Sequence, residues 1–245
     1  MGSIGRQQIF DYPTVDFDSS ALDTQDFPVP LSLVLFQSPA HFWRYRVLKR
    51  AMDFSLAAVM LALSLVPGIF IAAAIVLTSK GPVFYRETRI GRGGRPFQIW
   101  KFRSMRSKTS RRTHQVSTAH LHLHARWRTH KDVEDPRVTP IGKFLRKWSL
   151  DELPQLLNVL SGDMSLVGPR PVVRDELPLY AQMLSSYLAV TPGLSGLWQV
   201  SGRSNVNFTE RARLDASYVE RWSLIQDVRI LARTIPAVLH RVGAR

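Results

Sequence analysis

The run from Phe54 to Leu77, FSLAAVMLALSLVPGIFIAAAIVL, contains 24 residues and no charge. As a straight helix it measures roughly 36 Å, enough to enter a bilayer. Pro67, near its middle, lacks an N–H and crowds the preceding turn, so a sharp kink or a break is expected beside Gly68. The resulting pieces of 13 and 10 residues are each too short to span. Arg44, Arg46, Lys49 and Arg50 precede the run, and Lys80, Arg86 and Arg89 follow it. A single-pass anchor would place one of these basic flanks on the non-cytoplasmic side, against the usual charge bias. A hairpin that dips into one leaflet keeps both flanks at the anionic cytoplasmic surface, where each Lys or Arg contributes about 1 kcal/mol. The flanks favour the dip. A buried helix of a soluble protein is the weaker reading, because such helices are seldom apolar all round for so long.

The 245 residues suggest one domain with attachments. Residues 1–40 carry five Asp and a single Arg, leaving 32 basic against 14 acidic residues in the remainder. So cationic a body calls for an anionic partner: nucleic acid, lipid headgroups or a phosphorylated substrate. The chain has no cysteine, which excludes a disulfide framework, thiol catalysis and thiolate metal sites. No signal peptide is visible, because the first long apolar run begins after residue 53 and lacks a small-residue cleavage signature. Three regions follow: an acidic, Pro-bearing arm over 1–40, an interfacial segment with the apolar helix over 41–80, and a catalytic-sized body over 81–245.

Along the body, Val83 to Arg86 and Phe97 to Phe102 read as strands joined through Gly91, Gly93 and Gly94. Residues 104–131 are basic and hold His114, His120, His122, His124 and His130. Such spacing can bind zinc, but no carboxylate completes a site, and a solvated mobile loop is the better reading. Ile141, Phe144, Leu145 and Trp148 share one helix face. A further helix is expected from Leu153 or Pro154 to Leu160, stopped by Ser161-Gly162. Helices are also expected over 174–190, 208–222 and the amphipathic tail 222–239, with an irregular loop at TPGLSGLWQVSGR. The fold class is α+β and mostly helical.

Asp151 and Glu152 fall just before or in the first turn of the Pro154 helix, where exposed N–H groups and the positive dipole end favour ionised carboxylates. An ionised Asp beside phosphate-binding cations can attack phosphorus, and its neighbour can hold a divalent metal. The competing reading is structural, since Ser149-x-x-Glu152 matches a capping box. The surroundings tip the balance toward chemistry. GPRP places Arg170 at a rigid turn, KFR supplies Lys101 and Arg103 after a strand, and Arg203 follows another Gly-rich loop. A membrane-tethered nucleic-acid binder, suggested by charge and by Trp100, Trp127 and Trp148, leaves the acidic pair unexplained. A pathway scaffold is the third reading.

The order KFRSM, DPRVTPIGKFLRKWSLDELPQLLNVLSGDMSLVGPRP and PGLSGLWQVSGR resembles that of the bacterial sugar transferases called monotopic phosphoglycosyl transferases, over roughly residues 44–235. The resemblance implies transfer of a sugar 1-phosphate from a UDP-sugar to undecaprenyl phosphate, and a re-entrant membrane helix broken at Pro67. It implies that Asp151 is a nucleophile forming a covalent phosphosugar intermediate and that Glu152, with Asp151, binds Mg²⁺. It further implies that Arg146 and Arg170 contact phosphate, that Lys101 and Arg103 line the same site, and that Gly193 and Arg203 touch substrate. The implied setting is the cytoplasmic face of the bacterial inner membrane, with membrane lipids and no nucleic acid as partners. Larger relatives carry an extra four-helix membrane region, so this chain reads as a stand-alone catalytic unit. The sugar and the oligomeric state, a homodimer included, stay open.

Overall fold

The computed structural model describes residues 43–106, 137–202 and 206–239. The acidic arm, the His-rich segment and Arg203 lie outside the described residues. Helix α1, Trp43–Thr78, leads into a hairpin of β1, Phe84–Ile90, and β2, Pro96–Phe102. Then come α2, Pro140–Lys147, a 3₁₀ turn at Leu150–Glu152, α3, Gln155–Ser161, and β3, Ser165–Val167. A 3₁₀ segment, Arg174–Met183, precedes α4, Leu184–Ala189. The chain continues with β4, Gly193–Ser195, α5, Leu197–Val200, α6, Phe208–Glu220, and α7, Leu224–Leu239. This is the expected α+β, mostly helical class.

Of the kink or break expected at Pro67, the break is corrected. Helical backbone runs through it without interruption, and α1 is one helix of 36 residues. Proline removes only the bond to the carbonyl of Leu63, and the flanking turns keep theirs. Apolar residues along α1 are uncovered: Leu63 is 75% exposed, Phe70 71% and Leu77 85%. The helix is long and apolar enough to cross a membrane by length and composition. It is therefore no buried core helix.

One side of α1 does pack. Ala57 joins Ile99, Leu156, Val159, Leu166, Tyr218 and Ile230 in the largest core, which draws together α1, β2, α3, β3, α6 and α7. Ile71 and Ile75 meet Phe102 and Leu145 in a second core. A third, Val172, Leu177, Tyr180, Tyr187 and Phe208, lies under the 3₁₀ segment. At the base of α1, Lys49 sits between Asp53, 3.3 Å away, and Asp227 of α7, 2.9 Å away, all three buried. Asp227 also accepts from Tyr218 Oη at 2.7 Å and Trp222 Nε1 at 3.0 Å, so its charge is fully used. Lys49→Met leaves two buried carboxylates without their cation and should cost about 3 kcal/mol, read as a lowered thermal midpoint in detergent.

β1 and β2 pair antiparallel, with Phe84 opposite Phe102 and Ile90 opposite Pro96, and the expected glycines make the turn. Asn158 pins this hairpin to α3. Its Oδ1 accepts from the Trp100 N–H at 3.0 Å, and its Nδ2 donates to the Gln98 carbonyl at 2.7 Å. α3 stops where expected, at Gly162, whose φ of 93° is the left-handed conformation of a helix end. The stretch expected to be an irregular loop instead holds β4 and α5. β4 pairs in parallel with β3, Ser165 to Gly193 and Val167 to Ser195, a three-residue match set by tertiary packing rather than by any local pattern.

Candidate active site

α2 starts with Thr139 as its cap, the hydroxyl accepting from the Gly142 N–H at 3.0 Å, and ends at Lys147. The chain then reverses through Ser149, a non-glycine residue at φ 55°. A side chain held there costs on the order of 1–3 kcal/mol, and such strain gathers at functional sites. Ser149 makes no side-chain cap, so the capping-box reading of Ser149-x-x-Glu152 is not realised. Asp151 and Glu152 instead occupy the 3₁₀ turn that Ser149 launches, directly ahead of α3.

The turn faces the end of β2. Lys101 Nζ lies 3.2 Å from Glu152 Oε1. Arg146, in the last turn of α2, donates from Nε to Ser104 Oγ at 2.9 Å. Burial pushes the Asp151 carboxyl up from its ordinary value, the adjacent Glu152 adds to the rise, and Lys101 and Arg146 oppose it. The expectation that a helix end would favour the ionised form is thus overridden: desolvation and a neighbouring like charge outweigh the backbone dipoles. Removing Lys101 removes an opposing cation. Lys101→Ala should therefore move the acid limb of turnover to higher pH and lower the rate at neutral pH about tenfold or more, as read in a pH–rate profile.

Across the cleft stands the loop Gly168 to Pro171. Its backbone is held on every side. Gly168 N–H donates to Ser195 O at 2.9 Å, Gly193 N–H to Pro169 O at 2.7 Å, and Ile90 N–H to Val172 O at 2.9 Å. Arg89 Nη1 donates to Pro171 O at 3.2 Å. Tyr187 Oη accepts from the Val172 N–H at 3.1 Å and donates to Ile90 O at 2.6 Å. A loop so restrained presents Arg170 with little freedom to lose on binding an anion.

Arg89, Lys101, Glu152, Gln155, Arg170, Gly193 and Gln199 line this cleft. The structure thus brings Lys101, Glu152, Arg170 and Gly193 together, with Asp151 beside them. It sends Arg103 elsewhere: that guanidinium donates to Ser79 O at 2.6 Å and Ser79 Oγ at 2.9 Å, at the exit of α1. Arg89, Gln155 and Gln199 escaped the sequence reading. Arg89 sits at a strand position whose inward direction shows only in the register with β2, and Gln199 belongs to a helix of four residues, Leu197–Val200.

Comparison with known proteins settles the class. Residues 44–241 match the model of a family described as bacterial sugar transferase. The chain belongs to the bacterial sugar transferase family. Among the transferase's relatives is the exopolysaccharide production protein ExoY of Sinorhizobium fredii, 45% identical over 192 residues, 78% of this chain and 84% of the relative. The undecaprenyl-phosphate galactose phosphotransferase of Salmonella typhimurium is 43% identical over 200 residues, 81% of this chain and 42% of the relative. The UDP-glucose:undecaprenyl-phosphate glucose-1-phosphate transferase of Escherichia coli is 39% identical over 198 residues, 78% of this chain and 40% of the relative. Membership in this family makes the chain an enzyme, which removes scaffolding as its sole role.

Proposed function

We propose that this transferase moves a sugar 1-phosphate from a UDP-sugar to undecaprenyl phosphate in two steps, as a membrane stage of exopolysaccharide or glycoconjugate synthesis. The observation that carries the reading is the half-buried Asp151 carboxylate beside the Lys101–Glu152 pair, opposite the immobilised Arg170 loop. An Asp151 oxygen attacks the phosphorus that bears the sugar. The bond from that phosphorus to the bridging oxygen breaks, and UMP leaves with its electron pair. A phosphate oxygen of undecaprenyl phosphate then attacks the same phosphorus, which frees the Asp151 carboxylate and yields the lipid diphosphate sugar. Lys101, Arg146 and Arg170 offset charge on the phosphoryl oxygens throughout.

The donor set fits Mg²⁺. Among the described residues there is no cluster of three or more metal-binding side chains, and Mg²⁺ is commonly held by one or two carboxylates together with substrate phosphates. Glu152 and Asp151 supply that pair, and their mutual repulsion is what a cation would relieve. Bound there, Mg²⁺ would supply Lewis-acid charge to the diphosphate.

The same proposal sets α1 at the cytoplasmic side of the membrane as one unbroken helix held along the catalytic body, with its uncovered apolar residues in the lipid. Both ends are bonded to one body: Arg50 donates to the Val159 and Leu160 carbonyls, the latter at 2.7 Å, and Ser79 receives Arg103. A spanning helix would carry one end away from the catalytic body. The experiment is a panel of UDP-sugars with undecaprenyl phosphate in nanodiscs, scored by UMP release and by intact mass with donor alone. A protein mass raised by one phosphosugar is expected. The absence of both signals with every donor would refute the reading.

A further inference from the structure

The β1–β2 hairpin has two faces, and the cleft uses one of them. Directly opposed residues share a face and successive residues alternate, so Tyr85, Glu87 and Arg89 stand with Lys101, Ile99 and Phe97 on the face that carries the site. The other face holds Phe84 opposite Phe102, Arg86 opposite Trp100, and Thr88 opposite Gln98. None of these six residues is acidic. Their rings form a row: Phe84 stacks on Phe102 with centroids 5.4 Å apart and stands perpendicular to Trp100 at 5.9 Å. The Arg86 guanidinium lies 3.7 Å from the centre of the Trp100 ring. Phe84, a large apolar ring, is 44% exposed.

The row is ordered by polarity, and it begins on α1. Phe102 is buried in one core with Ile71 and Ile75, and a methyl built on Gly68 would stand 3.9 Å from its Cζ. From there the face passes through Phe84 to Trp100 and Arg86, and it ends on Thr88 and Gln98, whose side chains bond each other at 2.7 Å. This order, hydrocarbon then aromatic then cation then neutral polar, is the one a membrane boundary presents on the way from acyl chains to water, because rings favour the boundary and Arg reaches out to phosphate. Four strand residues at about 3.3 Å each carry the face about 13 Å, enough to cross a headgroup layer of about 5–8 Å. We propose that this face of the hairpin is a second lipid-contacting surface, seated in the headgroup layer beside α1, with Phe84 and Trp100 at the acyl boundary and Arg86 on lipid phosphate.

The proposal rests on α1 lying in lipid, as in the function proposed above, and it adds a contact that α1 does not supply. The face is continuous with the uncovered side of that helix, where Phe70 is 71% exposed and Val76 58%, so a lipid layer that covers those residues also reaches Phe84. A single helix is one line of contact, about which the body could roll. A second contact to one side of that line fixes the roll. The strands that make it carry Lys101 on their opposite face, so the hairpin meets lipid on one side and the reaction on the other.

The chain has no cysteine, so one introduced thiol takes one fluorescent label. Full-length Phe84→Cys, Thr88→Cys and Phe70→Cys, each labelled with NBD, are placed in nanodiscs of phosphatidylcholine and phosphatidylglycerol, with and without a lipid that carries a nitroxide near the top of one acyl chain. The nitroxide should quench the label at Phe84 about threefold more than the label at Thr88, which lies about 13 Å further along the face. Equal quenching at the two positions would overturn the proposal. So would a label at Phe84 that emits as if buried and is not quenched, since a second copy or another protein would then cover the face. The label at Phe70 separates the two readings: quenching there but not at Phe84 sinks only the hairpin contact, whereas quenching at neither sinks the placement of α1 as well. Trp100→Phe decides the matter if the labelled chains do not fold. It keeps a ring, and the emission it removes from the wild type is that of Trp100. Lipid with brominated acyl chains should quench that difference by about half or more, and a difference left unquenched would overturn the proposal.

Discussion

Asp151→Asn should fold, stay with membranes and form no phosphosugar adduct, with UMP release falling by about 10⁴-fold or more. The amide has the shape of the carboxylate but no oxygen able to attack phosphorus, while Lys101, Arg146 and Arg170 remain in place to bind the donor. Stability should move the other way. The wild-type carboxyl is raised by burial and by Glu152. A carboxyl raised in the folded state contributes stability that is complete below its unfolded value and is lost as pH climbs through its folded value. Above the folded value that stability is gone, and the amide does not lose it. The variant should therefore gain in melting temperature relative to the wild type as pH rises, and the difference should vanish in acid. Donor-only intact mass and a pair of melting curves check both halves, and undiminished turnover would refute the nucleophile.

Gly193→Ala should give a chain that does not accumulate in folded form. A methyl built at Gly193 would stand 2.1 Å from Gly168 N and 2.4 Å from Ser195 O, both backbone atoms that cannot step aside. These atoms belong to the β3–β4 pair and to the loop that carries Arg170, where the Gly168 N–H donates to Ser195 O at 2.9 Å. Overpacking usually costs about 1–3 kcal/mol, and contact with two backbone groups takes it beyond that range. The loss should appear as aggregation on extraction. A folded Gly193→Ala with weakened UDP binding would instead make the residue a substrate contact alone. The sequence implies that Gly193 touches substrate, and the structure adds the tighter constraint: the backbone of the anion loop leaves room for nothing larger than hydrogen.

These cases show what the sequence carried and what it did not. The Gly162 helix stop, the hairpin glycines and the acidic pair ahead of α3 follow from local rules, since a left-handed end, a reversal and a helix start each demand particular residues nearby. Arg89 reads from the sequence only as a basic flank, because its place in the site depends on a partner far along the chain, the Pro171 carbonyl. Ser149 carries a competing local reading that the structure does not realise. Its spacing to Glu152 fits a cap, yet tertiary packing twists it to φ 55° and frees Glu152 for Lys101. Pro67 does not break its helix, because a missing N–H weakens a helix without obliging it to end.

The seam between Arg103 and Ser79 has a mechanical consequence. Lys101 meets Glu152 two residues before Arg103 grips the exit of α1 on the same run of backbone. The greasy stem and the reactive pocket are thus braced by one short stretch of chain rather than joined by a slack tether. The height at which the pocket rides over the lipid is then fixed by how deep the stem sits, as a float sets the level of a valve. On the function proposed above, a lipid-borne acceptor confined to that layer would meet the pocket by sliding sideways, without having to climb out of the bilayer.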